Sequence, residues 1–218
     1  MLAELQKKLV DLYEVDHGYD VRDYLITDPL QAEVLGQGAL MPNTDESVLL
    51  CEDNDGLALA VYLDQDMLDR LDAADPLAHL QIEQLNDFWI VLEGISHFNF
   101  IVWSASRNRS ITLLELELQA EVDKFVTSSM LAWQQGDKHL LTRLHALLFD
   151  KAKIKPGLDR EQRERYLAAN GYAGRFCHRL QRSLLRGNAR VLSELREFYR
   201  LSQTDKISHI HSQAWASG

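Results

Sequence analysis

Apolar residues recur at helical spacing along most of the chain, and they alternate along one short stretch. The first fifteen residues place their large apolar groups on one face of a helix; these are Leu2, Leu5, Leu9, Leu12 and Tyr13. Asp28-Pro29 is typical of a helix start, because Asp caps the first turn and Pro fits its first position. The sequence predicts a short helix from there to Gly36.

The stretch from Ser47 to Leu63 is the best candidate for β-structure. Two apolar runs flank Asp-Asn-Asp-Gly, and Asp55-Gly56 suits a tight turn that needs positive φ. We therefore predict a β-hairpin over 47–63. A lone hairpin is only marginally stable in water, so it must pack on helices, gain another strand or pair with a second chain.

A long apolar segment, Leu77 to about Arg107, is predicted to form one helix. The rival interpretation is a hairpin, since FNFIVW and ITLLELEL both alternate around SRNR. Helix is favoured because Thr112 and Glu115 form a capping box that opens a second helix, which runs to Gln135. A helix that is apolar nearly all round is usually central and buried.

Four further helices are predicted after Gly136. Their expected bounds are Asp137 to about Lys151, Asp159 to Asn170-Gly171, Tyr172 to Arg186, and Ala189 to Leu201. The fold class is thus mostly α-helical, with a small β-hairpin lobe in the N-terminal third. We expect an α/β lobe over 1–78 and a helical bundle over 79–218, or both within one compact domain.

A line of polar residues follows the long apolar helix. Its members, which we call the polar seam, are spaced 7, 4 and 7 residues apart and share one narrow arc; they are Asn86, Glu93, His97 and Ser104. A buried carboxylate is costly unless it is paired or protonated. We therefore expect Glu93 to interact with His97, one turn away.

The seam has one structural and two chemical interpretations. Glu93 and His97 are candidates for a general acid/base pair, or for ligands of a divalent metal ion, with Glu117 and Glu121 on the next helix as further carboxylates. The Glu-x-x-His spacing of helix-bundle diiron sites is not matched. A satisfied buried network is favoured over both. Glu117 and Glu121 share a face with Lys124 and Ser128, which is typical of a solvated face.

Charge is divided unevenly along the chain. Of 23 basic and 33 acidic residues, the segment 137–218 holds 16 basic and 8 acidic, which leaves 7 and 25 for residues 1–136. The two parts should attract each other, or each should attract a separate partner. Salt would screen that attraction over about 10 Å.

Four arginines in the basic part are spaced 4, 3 and 4 residues apart and form one helix face. This arginine face consists of Arg175, Arg179, Arg182 and Arg186. Such a row can bind phosphates or an acidic protein surface. Nucleic acid is the less favoured ligand, because the chain is acidic and carries no nucleic-acid-binding motif.

The remaining features narrow the function classes. The two cysteines are far apart, which favours a reduced, cytoplasmic protein. The run Phe88 to Trp103 is too short and too polar for a membrane span, and His209 and His211 are expected in a frayed tail.

The favoured function is a non-catalytic interaction or regulatory protein that binds a partner, or itself as a homodimer through the hairpin edge. The alternative is a helical-bundle enzyme or metal-binding protein centred on Glu93 and His97.

Overall fold

Helices form most of the protein in the computed structural model, which describes residues 1–36, 44–53, 56–151, 157–184 and 190–214. The mostly α-helical fold class with a small β-lobe is confirmed. The helices are α1 (Leu2–Tyr13), α2 (Pro29–Leu35), α3 (Gln65–Ala74), α4 (Leu85–Ala105), α5 (Leu113–Gln134), α6 (Lys138–His145), α7 (Arg160–Leu184), α8 (Arg190–Arg200) and α9 (Gln203–Ala214). Short 3-10 segments cover Val21–Tyr24 and Ile82–Gln84, and a π-helical segment covers Ala146–Asp150.

The predicted hairpin is present as the strands β2 (Glu46–Asp53) and β3 (Gly56–Leu63), which pair antiparallel with Glu46 opposite Leu63. Its turn at residues 54 and 55 lies outside the described residues. A third strand, β1 (Leu25–Ile26), pairs parallel with β3 and gives the sheet order β1-β3-β2. The sequence pattern did not predict β1, because two residues are too few to show alternation.

Both faces of the sheet pack against other hydrophobic residues. Val61 and Leu63 join the main core beside α4. Ile26 and Tyr62 form a smaller cluster with Ala32 of α2. The hairpin is therefore stabilised both by another strand and by packing on helices, two of the three solutions expected of it.

The long apolar helix is confirmed, but it begins eight residues later than predicted, at Leu85. Pro76 and the turn that follows it keep 77–81 out of the helix, and a capping box between Gln81 and Gln84 closes the 3-10 turn before it. The rival hairpin interpretation is wrong, since α4 continues to Ala105 and Thr112 caps α5 through its side chain. Most of α4 is buried, as a helix that is apolar on nearly every side requires.

Two predictions for the last third are wrong. Asn170-Gly171 does not end a helix, and α7 continues through it from Arg160 to Leu184. A helical Gly costs only about 1 kcal/mol, which packing of Ala169, Ala173 and Phe176 into the core outweighs. The expected frayed tail is instead α9 as far as Ala214, held by the buried side chains of Lys206 and Ile210.

One hydrophobic core draws residues from both proposed lobes, from Leu5 in α1 to Ile210 in α9. The division at residue 78 stays a prediction. Within the described part of the chain, Ile82–Ala105 is long and apolar enough to cross a membrane by length and composition, and 78% of its most apolar window is buried inside the protein. This burial is what a core helix shows, and the cytoplasmic location stays a prediction.

Candidate metal centre

Three of the four residues in the polar seam of α4 are buried, and the fourth is exposed. Glu93, His97 and Ser104 are buried, whereas Asn86 is exposed and donates to Asp87. The interpretation that all four residues form one buried line is therefore wrong at Asn86. This residue lies in the first turn of α4, where Leu85 and Phe88 are buried in the core but Asn86 is turned to solvent.

Glu46, at the start of β2, completes a group with Glu93 and His97. Each offers one ligand atom, these atoms all lie within 4.8 Å of one another, and all three residues are buried. We call these three residues the Glu/His group. His97 Nδ1 is 3.4 Å from Glu46 Oε1, and Glu93 Oε2 is 3.0 Å from Lys124 Nζ. His97 thus makes its ion-pair contact with a residue of β2, and Glu93 makes its contact with a residue of α5. The ligand atoms of Glu93 and His97 nevertheless lie within 4.8 Å of each other.

A glycine in α4 lets the hairpin approach the group. A Cβ atom on Gly94 would lie 3.3 Å from Glu46 Cγ, 3.3 Å from Val61 Cγ1 and 3.2 Å from Leu63 Cδ2. Such contacts are tighter than ordinary van der Waals separations. Gly94 therefore permits the close helix–sheet packing that brings the Glu46 carboxylate beside His97.

The opposite wall of the site comes from α5. Lys124 Nζ contacts Glu121 Oε1 at 2.6 Å, and the side chains of Lys124 and Glu121 are only 8% and 13% exposed. Ser128 on the same face is fully buried and accepts from Trp89 Nε1 of α4. The solvated-face interpretation of Glu117, Glu121, Lys124 and Ser128 is therefore wrong. These residues face α4, and α5 is covered on both sides.

Electrostatics within the site follow from burial and crowding of carboxylates. Burial alone favours a neutral His97 ring, but Glu46 in contact with it, together with Glu117 and Glu93, raises the pKa of His97 to about 9. Burial raises the pKa of Glu117 to about 7; His97 opposes this increase, and Glu93 and Glu46 add to it. Burial likewise raises the pKa of Glu121. The carboxylates of the site therefore outnumber Lys124 and His97, the two cationic side chains that contact them.

Several polar atoms of this site make no hydrogen bond to any described residue. They include His97 Nε2 and Glu121 Oε2, both of them buried atoms, whereas Glu46 Oε1 has its ion-pair contact with His97 Nδ1. Buried polar atoms normally find a partner. Buried polar atoms that lack a hydrogen-bond partner and lie beside the Glu/His group are typical of a site that binds an ion.

The sequence pattern did not identify Glu46 as a candidate site residue. The predicted strand began at Ser47, and nothing in the spacing connects residue 46 with residue 93. One signal was available: alternation along β2 places Glu46 on the same face as Val48, which packs against the main core. A charged residue on an inward strand position is a reason to look for its partner.

A second buried network lies on another side of α4, around Asp123. Asp123 accepts from Ser96 at 2.6 Å, from Tyr13 at 2.5 Å and from Gln119 at 2.8 Å, and Lys206 donates to Gln119 at 2.5 Å. Burial raises the pKa of Asp123 to about 6 and lowers that of Lys206 to about 7. We call these five residues the Asp123 network; it joins α1, α4, α5 and α9 and leaves no Asp123 oxygen unbonded, as a structural network does.

The arginine face is only partly described. Arg175 is exposed, and Arg179 pairs with Glu194 of α8 and lies over the Phe176 ring. The Arg182 side chain and the whole of Arg186 lie outside the described residues. The two oppositely charged parts of the chain do meet nearby, where Arg196 contacts Glu14 at 2.6 Å.

Comparison of the chain with protein-family models, with curated proteins and with solved structures gives no match.

Proposed function

We propose that the protein binds a divalent transition-metal ion through Glu46, Glu93 and His97. The observation that carries the proposal is the Glu/His group itself, in which three buried ligand atoms from two elements lie within 4.8 Å of one another. Two ligand atoms of a tetrahedral ion are about 3.3–3.6 Å apart, since each lies about 2.0–2.2 Å from the metal. The three atoms lie within 4.8 Å of one another, so side-chain shifts of about 1 Å would bring all three onto one ion.

The donor atoms indicate the class of metal. Two carboxylates and one imidazole suit zinc, manganese, iron or cobalt, and the group contains no thiolate that would favour a soft ion. Calcium sites use oxygen ligands only. Three protein ligands also leave a coordination position for water or a substrate, as catalytic metal sites do.

The buried surroundings support the same proposal. His97 Nε2 has no hydrogen-bond partner among the described residues, and Glu46 Oε1 contacts only the other ring nitrogen of His97, at 3.4 Å. Bringing like-charged carboxylates together is costly in a buried site, and an ion of charge +2 removes that cost. The acid/base interpretation of Glu93 and His97 needs no Glu46, so the presence of Glu46 in the group favours the metal.

The test is metal binding by protein that is purified without an affinity tag and stripped with a chelator. Isothermal titration with Zn²⁺ and Mn²⁺ should show a site in the wild type that Glu46→Gln and His97→Gln each weaken at least tenfold. The exposed His139 provides the matched control, and His139→Gln should bind as the wild type does. Wild-type affinity in both site variants, with circular dichroism unchanged, would overturn the proposal.

The interaction function expected from the sequence stays a prediction. Binding of a protein partner through the arginine face or the acidic lobe, homodimer formation through the β2 edge, and the weaker nucleic-acid possibility all depend on partners. A salt-sensitive complex that is lost on Arg179→Glu would support the first of these.

A further inference from the structure

Lys124 lies between two carboxylates that belong to different helices. Its Nζ lies 3.0 Å from Glu93 Oε2 on α4 and 2.6 Å from Glu121 Oε1 on α5. The whole residue is 6% exposed, so this ammonium is a fixed internal charge and not a surface group that happens to lie nearby. It joins the Glu/His group to the remaining carboxylates of the site.

The surrounding carboxylates are numerous enough for two ions. Glu46, Glu93, Glu117 and Glu121 all act electrostatically on this site, and the half-buried Glu117 is close enough to influence His97. Two-metal sites use carboxylates shared between ions about 3.5–4 Å apart. Glu93 is the carboxylate that the Glu/His group and Lys124 share, because it lies in that group and Lys124 contacts its Oε2 atom.

An ammonium group differs from a metal ion in two ways that matter here. It carries one positive charge instead of two, and it donates hydrogen bonds but has no coordination position for a ligand. One oxygen of Glu121 and one oxygen of Glu93 are therefore paired with Lys124 without a second ion. The rest of the Glu/His group is left to bind a metal.

We infer that Lys124 restricts this centre to one metal ion by holding Glu93 and Glu121 where a second ion would bind. The inference rests on the proposed metal function and adds a determinant of its stoichiometry. Lys124 is thus a specificity-determining residue of the centre, placed on α5 so that its side chain faces α4. It acts through Glu93 and Glu121 and does not itself ligate the metal.

The test counts metal ions per chain in chelator-stripped protein that is reloaded with excess Mn²⁺ or Zn²⁺ and then desalted. We expect one equivalent in the wild type, one in Lys124→Arg, which keeps the charge, and two in Lys124→Met, which removes it. One equivalent in Lys124→Met, with wild-type affinity, would overturn the inference. No metal in the wild type would overturn the proposed function instead.

A second variant keeps the inference testable if Lys124→Met does not fold. Glu121→Gln leaves Lys124 in place and removes a carboxylate that the inference assigns to the lysine. This variant should bind one equivalent within about threefold of the wild-type affinity, whereas Glu93→Gln should lose at least tenfold. Equal losses in the two variants would show that Glu121 is a metal ligand and that the inferred role of Lys124 is wrong.

Discussion

Glu46 Oε1 lies 3.4 Å from His97 Nδ1, which joins the first residue of β2 to the middle of α4. Both side chains are at most 10% exposed, so water screens their interaction poorly. Residues in such direct contact couple by about 0.5–3 kcal/mol in double-mutant cycles. The contact therefore predicts measurable coupling between two residues that are far apart in sequence.

The first prediction compares two cycles in metal-free protein. Glu46→Gln and His97→Gln, made singly and together, should lose less stability together than the sum of the single losses, because the second change removes a partner already lost. The same cycle with Glu93 should show weaker coupling, since Glu93 contacts Lys124 directly. Urea unfolding measures each free energy. Additive losses for Glu46 and His97 would contradict the contact.

The second prediction concerns the close approach at Gly94. Gly94→Ala adds a methyl group against Leu63, Glu46 and Val61, whereas Gly171→Ala in α7 meets nothing within 4 Å. Both changes gain the same helix propensity, so their difference isolates the packing. We expect Gly94→Ala to be less stable than Gly171→Ala by about 1–3 kcal/mol in urea unfolding. Equal stabilities would mean that the sheet can retreat from α4 without cost.

The third prediction is a pH dependence due to Lys206. Burial lowers the pKa of Lys206 from its ordinary 10.5 to about 7, against the opposing effects of Glu115 and Asp123. Between these values the unfolded chain carries a proton on this lysine that the folded chain lacks. Raising the pH from 7 toward 10 therefore stabilises the folded state, by at most about 1.4 kcal/mol per pH unit.

Urea unfolding of the wild type and of Lys206→Met at several pH values isolates this effect from other titrating groups. The stability of the wild type relative to Lys206→Met should increase across that range. Lys7→Met serves as the control, since the Lys7 side chain is 72% exposed, and its difference from the wild type should stay flat. A flat difference for Lys206→Met would show that this lysine keeps its proton inside the protein.

Features fixed by nearby residues could be predicted from the sequence. Thr112, Asp137 and Asp159 each cap the helix that follows through a side-chain oxygen, and a helix was expected to begin at each of them. The hairpin followed from alternation and a turn signal. Such signals need no knowledge of which elements meet.

Features fixed by distant contacts could not be predicted. The helix α7 passes through Asn170-Gly171 because its flanking residues are buried, and burial is not visible in the local pattern. The same limit explains the misjudged face of α5: a polar face is typical of solvent exposure unless another polar surface covers it. Here the polar seam of α4 covers the polar face of α5. Glu46 lies on a strand, and the spacing of residues along the chain does not show that this strand packs against His97 of α4.

The most direct test of the metal centre is anomalous X-ray scattering from crystals that contain Mn²⁺ or Zn²⁺. Data collected above and below the absorption edge of the metal locate the ion without assumptions about its ligands. We predict a peak about 2.0–2.2 Å from a carboxylate oxygen of Glu46, one of Glu93 and a ring nitrogen of His97. Peaks confined to surface residues such as His211, with none between β2 and α4, would contradict it.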